Sequence, residues 1–508
     1  MQRAPIKFIS SSCGQAIEGV SPTVSQILPR WICTWTVISP TPIQPAQLAQ
    51  PRRLQPASVH TLHTTIFPIN FDMAPAEVEN NISRGIPESE TSPISQAAPT
   101  PSTRGDGQTE TPSDPGDIEE GRDAYRLGGF HPVYIGDVYA ERYKVLSKIG
   151  YGVYSTVWLV RDMMKPDDDE HRFRALKVLS AESYSKDKPI FEREILTHLR
   201  DGDHSQLGYA YVCHLVDDFE HQGPNGTHVC LVFELMGETL RSFGAWFKDS
   251  MLPYPVIHRF TIQLLLALDF AHNHNVIHTD IKPDNIFVKF RDYSLIESGY
   301  LVNAPIPQQD RTEQRYSPIP SIPLRRFYFS EADSRRVAEF DIALGDWGVS
   351  SWATRHLSEN IQPVALRAPE VLIEAPWDAT TDWWNLGAIL LELYRAVRMF
   401  DGRAPPNGHY ELKQHVAEIV DLFGPFPKEL LDKGNQDLVQ SVFDDKGKPK
   451  DFPPMNRPPL ASEAFMPGLN QEDRDLFASF LKAMMRINPA ERLSTEDLLR
   501  HPWLGAMS

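Results

Sequence analysis

Cysteine is scarce in this chain of 508 residues: only Cys13, Cys33, Cys213 and Cys230. Their spacing matches no metal-ligand pattern, and four thiols in so long a chain do not make a disulfide framework. A reduced, intracellular chain is the expectation. Basic residues are also short, 50 Lys and Arg against 67 Asp and Glu, for a formal net charge of −17. That balance argues against a protein held to nucleic acid by phosphate neutralisation, which needs a basic patch, so no direct nucleic-acid partner is expected. An acidic surface suits basic peptides instead. Long apolar runs are missing too, since nothing approaches the ~18 residues of a membrane span. Leu264–Leu268 is interrupted by Asp269 and reads as a buried helix. No membrane partner is expected.

Proline is not scarce, but it is unevenly placed: 16 of the 43 prolines lie in residues 1–128, among many Ser, Thr and Gln. Such a segment cannot bury enough apolar surface to offset its ordering entropy, so 1–128 is expected to be disordered. Its first 72 residues hold Arg3, Lys7, Arg30, Arg52 and Arg53 but only Glu18 and Asp72 as acids. Acid-poor N-termini occur in transit peptides, although the proline density opposes the amphipathic helix these need. Met73 is an alternative start.

From Tyr143 the texture changes. Tyr143–Leu146, Thr156–Val160 and Ala175–Leu179 read as strands, and Ile195, Leu196 and Leu199 put a helix over Phe191–Leu199. Beyond Gly237 helical patterns dominate: His258–His274, Thr381–Arg395, His409–Phe423 and Glu472–Met485. A small β-rich part followed by a large α-rich part predicts two lobes around a cleft, with five antiparallel strands and one helix in 143–236. Residues 289–340, with the Pro/Gln/Arg-rich stretch Pro305–Arg326, read as an inserted loop.

The chemistry-bearing residues come in a constrained order. Ile149, Gly150, Tyr151, Gly152, Val153, Tyr154, Ser155, Thr156 and Val157 form a glycine turn between strands, where bare backbone amides can approach phosphate oxygens. A Gly-x-Gly pair alone fits an ordinary hairpin equally well. Lys177 lies mid-strand, and the next helix offers Glu192 as the acid to hold it. Glu194 fits that role less well. The segment from Val276 to Asn285 then supplies, in one short loop, what phosphoryl transfer needs. Asp280 can accept the substrate hydroxyl proton, Lys282 brings a cation to the transferred phosphate, and Asn285 offers an oxygen to magnesium. Asp346, in Leu344–Gly348, offers the second magnesium ligand. Glu370 of Ala368-Pro369-Glu370 and Arg492 suit a structural ion pair, and Asp382 is placed to anchor the loop before Asp280.

These motifs resemble those of the eukaryotic protein kinases over about residues 143–504. Within them Gly128–Val133, Ile135–Asp137, Tyr154–Leu159, His278–Pro283 and His356–Gln362 resemble the serine/arginine-rich-protein-specific kinases, fungal branch. The resemblance implies an α+β bilobal fold, with a small antiparallel β-rich N-lobe (143–236) and a large mainly helical C-lobe (237–504). The lead-in 129–142 and the insert 289–340 take the place of that family's own. It also implies ATP and Mg2+ as cofactors, transfer to Ser or Thr of Arg/Ser-rich proteins, a role in RNA splicing, a monomer, and residence in cytoplasm and nucleus. Phe233 falls at the back of the adenine pocket, and the backbones of Glu234 and Met236 fall where adenine bonds.

Three positions depart from the usual pattern. Thr279 replaces an arginine that normally grips an activation-loop phosphate, which implies activity without that phosphorylation. Trp347 replaces Phe or Leu. Pro363 stands where serine/threonine kinases have a threonine bridging the catalytic Asp and Lys, a substitution seen in tyrosine kinases, whereas Lys282 is the serine/threonine arrangement. A pseudokinase scaffold and a tyrosine or dual-specificity kinase therefore remain as alternatives. For substrate docking, the first family acid falls on Gln414 and the second on Asp421. Glu418 and Asp421, three residues apart, are expected to form a shifted acidic patch on one helix face, against the alternative of an ordinary solvated face.

Overall fold

A computed structural model describes residues 119–505 except 185–189, 314, 325–328, 330–335, 397 and 405–407. The expected disorder of residues 1–118 lies outside the described residues.

The first lobe is one antiparallel sheet in the order β1-β2-β3-β4-β6-β5. Its strands are β1 (Val138–Tyr139), β2 (Tyr143–Tyr151), β3 (Ser155–Asp162), β4 (Phe173–Leu179), β5 (Leu215–Gly223) and β6 (Gly226–Glu234). Five were expected; the sixth, β1, comes from the lead-in and pairs Val138 with Lys144 and Tyr139 with Tyr143. Strands β3, β4 and β6 read as near-continuous apolar runs because both sheet faces are covered. On the inner face Leu159, Phe173, Leu179 and Leu231 join the main core with Ile195, Leu196 and Leu199 of helix α1 (Glu192–Arg200). On the outer face Val145, Trp158, Val160, Leu176, Val178, Cys230 and Val232 form a second core, closed by Val133 and Tyr139 of the lead-in and by Ile319 of the insert.

The insert and the residues before 129 are therefore part of the lobe. Residues 119–128, expected to be disordered, are structured: Arg122–Ala124 forms a 3-10 turn, and Glu119 and Glu120 pair with Lys148 at 2.9 and 2.5 Å. Polar composition hid this: besides the ion pairs to Lys148, the Tyr125 ring packs against Phe130 and Tyr316.

The second lobe is mainly helical, around the 20-residue helix α2 (Tyr254–Asn273). Leu264, Leu265, Ala267 and Leu268 are buried, so this apolar helix is a core element by its burial. Helix Thr380–Arg395 packs on it, and helix Gln471–Met484 starts where the Asn470 side chain accepts the Asp473 N–H at 2.9 Å, satisfying an otherwise unpaired donor. The helix expected from His409 begins at Leu412. His409–Tyr410 pairs instead with Arg403–Ala404, and the Glu411 N–H is taken by the Gly402 carbonyl at 2.8 Å.

Two small sheets hold the cleft. In the order β10-β9-β7, strand β9 (Ile286–Lys289) pairs with β7 (Met236–Thr239) on one side and β10 (Ile342–Leu344) on the other. Strand β9 directly follows Asn285 and β10 ends two residues before Asp346. One ladder thus fixes the inter-lobe connection, the Asp280 loop and Asp346 together. The pair β8 (Val276–Ile277) and β11 (Ser351–Trp352) ties the segment after Asp346 to the strand before His278.

Candidate active site

Between the lobes lies a cavity of about 400 Å³. Ile149, Gly150, Tyr151, Gly152, Ser155 and Val157 line its β side, with Lys177, Glu192, Glu234, Met236, Asn285 and Asp346 around it. A Cβ built on Gly150 meets nothing within 4 Å, and one on Gly152 meets only Ser155 Oγ at 3.7 Å. Neither glycine puts a side chain between the backbone and the cavity, and the Gly152 N–H closes the turn on the Ser155 carbonyl at 2.8 Å.

Three residues of the expected turn lie elsewhere. Val153 and Tyr154 are at the exposed tip. Thr156 is fully buried in the sheet, where its Oγ1 accepts the Trp158 indole N–H at 2.9 Å. Alternation along β3 decides this: Ser155 and Val157 face the cavity, and the residue between them faces away. The sequence pattern had missed Ala175, Phe287, Leu324 and Pro323 as lining residues. Phe287, two residues beyond Asn285 on β9, was within reach of the same alternation rule. Pro323 and Leu324 were not, because nothing local ties the insert to the cavity.

The charged residues meet as expected. Lys177 Nζ lies 2.7 Å from Glu192 Oε1 and 3.2 Å from Asp346 Oδ1. Burial alone would lower the lysine pKa, but the charges of Glu192 and Asp346 outweigh it and hold it above the ordinary value. The Lys177 charge in turn holds Asp346 below the usual carboxylate range, while burial pushes Glu192 upward. The α1 periodicity that buries Ile195 and Leu199 turns Glu192 inward with them, while Glu194 is left exposed.

Asp280 is held from two sides. Lys282 Nζ and Asn285 Nδ2 each donate to its Oδ2 at 2.8 Å, and Asn285 Nδ2 also reaches its carbonyl at 2.9 Å. The Asn285 amide nitrogen is thereby committed, which leaves its oxygen as a free acceptor. The loop backbone is fixed by Asp382, fully buried, whose carboxylate accepts the N–H groups of His278 and Thr279 at 2.9 Å each. His278 Nε2 donates to the Gly345 carbonyl at 3.0 Å and its Nδ1 accepts the Asp280 N–H at 3.2 Å. These two bonds specify one neutral tautomer and tie the Asp280 loop to the residue before Asp346.

The departures have local explanations. Thr279 Oγ1 donates to the Val349 carbonyl at 2.9 Å, so the loop is tied to the segment after Asp346 without an arginine or a phosphate. Trp347 is buried with its ring edge-on to His278 at 4.7 Å, and its indole nitrogen has no hydrogen-bond partner. Pro363 caps the 3-10 turn Val364–Leu366. Asp280 and Lys282 meet directly, with no bridging hydroxyl needed. Glu370 and Arg492 form a fully buried bidentate pair at 2.6 Å.

Glu418 and Asp421 do not form the expected pair of free surface carboxylates. Glu418 is buried; its Oε2 accepts the N–H groups of Asp401 and Gly402 at 3.0 and 3.1 Å, and its Oε1 accepts from Gln414 at 3.1 Å. Asp421 pairs with Arg457 at 3.2 Å. The Glu418 carboxylate is spent on holding a loop, and the spacing of three along the helix could not reveal that.

The donor set fits magnesium. Asn285 Oδ1 and an Asp346 oxygen are hard, neighbouring ligands, and a magnesium ion keeps its remaining positions for water and phosphate. Among the described residues no group of three or more His, Cys, Asp or Glu side chains forms a closed metal cage.

The lobes, the cleft and this constellation define a phosphoryl-transfer enzyme of the kinase type, and a family model described as the protein kinase domain matches residues 143–301 and 331–504. The chain belongs to that family. Its curated relatives include a serine/threonine protein kinase of Aspergillus fumigatus, 33% identical over 391 residues that cover 76% of this chain and 91% of the relative. The SRPK serine/threonine-protein kinase of Physarum polycephalum is 29% identical, covering 77% and 94%. The protein kinase dsk1 of Schizosaccharomyces pombe is 29% identical, covering 76% and 85%. The enzyme is a serine/threonine kinase similar to the SRPK branch, and kinases of this family use ATP and magnesium.

Proposed function

We propose that this enzyme transfers the γ-phosphoryl group of ATP to serine, and to threonine, in basic Arg/Ser-rich proteins. The observation that carries the reading is Asp280, fixed by Lys282 and Asn285 on one side of a cleft whose other side holds the Lys177–Glu192–Asp346 cluster. Lys177 would pair the nucleotide phosphates, and the turn at Gly150 and Gly152, bare of side chains, would let them lie close to the backbone. Asn285 and Asp346 would hold Mg2+, which neutralises phosphate charge as it moves to the leaving oxygen. Asp280 would orient the substrate hydroxyl and take its proton at Oδ, with Lys282 supplying positive charge to the transferred group.

The substrate class rests on the motifs shared with the Arg/Ser-specific branch and on relatives such as the mouse SRSF protein kinase 3, 24% identical over 553 residues. A splicing role, a monomer and a distribution between cytoplasm and nucleus belong to the same reading. The intact Lys177–Asp346 contact opposes the scaffold alternative, and the direct Lys282–Asp280 bond opposes the tyrosine one. Purified full-length enzyme with labelled ATP and Arg-rich peptides carrying only Ser, only Thr or only Tyr provides the test. Incorporation into the Ser peptide far above the Tyr peptide is expected, and equal labelling would overturn the assignment.

A further inference from the structure

The nucleotide cavity has a wall that does not come from the kinase domain. Residues 302–330 lie between the two segments matched by the family model, yet Pro323 and Leu324 from that stretch line the cavity. Leu324 is 3% exposed and joins the main apolar core. A side chain from outside the domain thus stands where a nucleotide would be enclosed.

Its position is fixed by a strap along β2, the strand that enters the glycine turn. Past Val145, whose N–H and carbonyl pair with Asp137 and Gly136, the strap joins the outer edge of β2: the Ile322 N–H donates to the Lys148 carbonyl at 2.9 Å. The Tyr300 hydroxyl donates to the Ile322 carbonyl at 2.8 Å and lies 2.8 Å from Ser147 Oγ. Lys148 itself is buried, and its ammonium makes the latch. It reaches the Ile319 carbonyl at 3.1 Å and the carboxylates of Glu119 and Glu120. Ser321 Oγ closes the circuit on Glu119 at 2.6 Å. A buried ammonium is costly unless every proton finds an acceptor, and here three acceptors from two distant segments converge on it. Ile149 and Gly150 follow Lys148 directly, so the latch, the strap and the glycine turn share one stretch of backbone.

We propose that Leu324, seated by this strap and by the Lys148–Glu119–Glu120 latch, is a nucleotide-binding residue of this kinase, so that segments outside the domain set its affinity for adenine nucleotide. The inference rests on the nucleotide site proposed above. Loss of apolar contact at a cavity wall weakens ground-state and transition-state binding alike, which raises KM for ATP without lowering kcat. That signature separates a wall residue from one acting on the chemistry.

The test is made on the full chain, with thermal denaturation in parallel to confirm folding. Binding of a fluorescent methylanthraniloyl-ADP is titrated, and KM for ATP, KM for peptide and kcat are measured. Leu324→Ala is expected to raise the ADP Kd and the ATP KM about fivefold to tenfold, with kcat at saturating ATP and peptide KM within twofold. Leu324→Val, smaller by one methylene, is expected to give about twofold to threefold and serves if the alanine variant does not fold. Glu119→Gln combined with Glu120→Gln leaves Leu324 intact but loosens its seat, and is expected to move the same two constants upward. Unchanged nucleotide constants in folded Leu324 variants overturn the proposal, and an unchanged double Gln variant overturns the latch. If the wild-type chain itself bound no nucleotide, the functional reading would fail instead.

Discussion

At the scale of single residues, the division of labour between Asp280 and Asp346 makes separable predictions. Asp280 does not itself line the nucleotide cavity, and its side chain is held by Lys282 and Asn285. Asp280→Asn is therefore expected to lower kcat by about 10²- to 10⁴-fold, the range for loss of a positioned general base, while ADP Kd stays within threefold. Asp346→Ala removes a charge that Lys177 stabilises and is expected to lose magnesium-dependent nucleotide binding as well as turnover. Both are read by single-turnover kinetics beside a nucleotide titration. Pro363→Thr follows from the same geometry. Asp280 and Lys282 already meet at 2.8 Å, so an added hydroxyl has no gap to bridge and kcat on serine peptides is expected to change by less than twofold. These residues were legible in the sequence because their chemistry demands both identity and spacing. Thr156 was not, because a motif says which residues recur and only strand alternation says which way each faces.

At the scale of elements, the helix Leu412–Phe423 shows what spacing alone cannot decide. Two acids three apart define a face, but whether that face meets solvent depends on what packs there. The loop Asp401–Gly402 does, and Glu418 satisfies its amides. Glu418→Ala is expected to destabilise the enzyme by about 1–3 kcal/mol, the cost of unpaired buried donors, with equal KM effects on long and short Arg/Ser peptides. Burial raises the Glu418 pKa above 4.5. The folded state therefore holds its proton more tightly than the unfolded one, and the stabilising contribution of that proton is lost as pH rises through the folded value. Glu418→Gln, which keeps a carbonyl for the amides and never ionises, is expected to match or exceed wild-type stability at neutral pH. That advantage should shrink as pH falls toward 4.5. Denaturant melts across pH check both signs, and an alanine variant with wild-type stability would overturn the loop-holding role. The insert was hidden for a related reason. Lys148 lies 171 residues from Ile319 and Glu119 lies 202 from Ser321 in sequence, and no periodicity records such pairings.

At the scale of the whole molecule, the lobes and their order followed from apolar periodicity, which local backbone chemistry enforces on any chain. The charge balance followed from composition, and it bears on substrate choice once the docking patch is removed. With Glu418 buried and Asp421 paired to Arg457, recognition of an Arg-rich peptide cannot rest on one pair of helix carboxylates. The net charge of −17 is not offset by the first 72 residues, which hold five Lys and Arg against two acids, so the acid excess lies in the remainder of the chain. A distributed negative field attracts a polyvalent cation over a Debye length of about 10 Å at 0.1 M salt and is screened beyond it. KM for an Arg/Ser repeat peptide is therefore expected to rise about fivefold between roughly 50 and 300 mM salt, at constant kcat, since screening weakens capture and leaves Asp280 untouched. A serine peptide without charge should show a flat KM over the same range. A single bidentate contact would respond differently, with a weak salt dependence and a large loss on replacing one arginine. If KM for the repeat peptide were flat in salt and one arginine carried most of the affinity, the distributed field would be rejected in favour of a discrete acidic pocket.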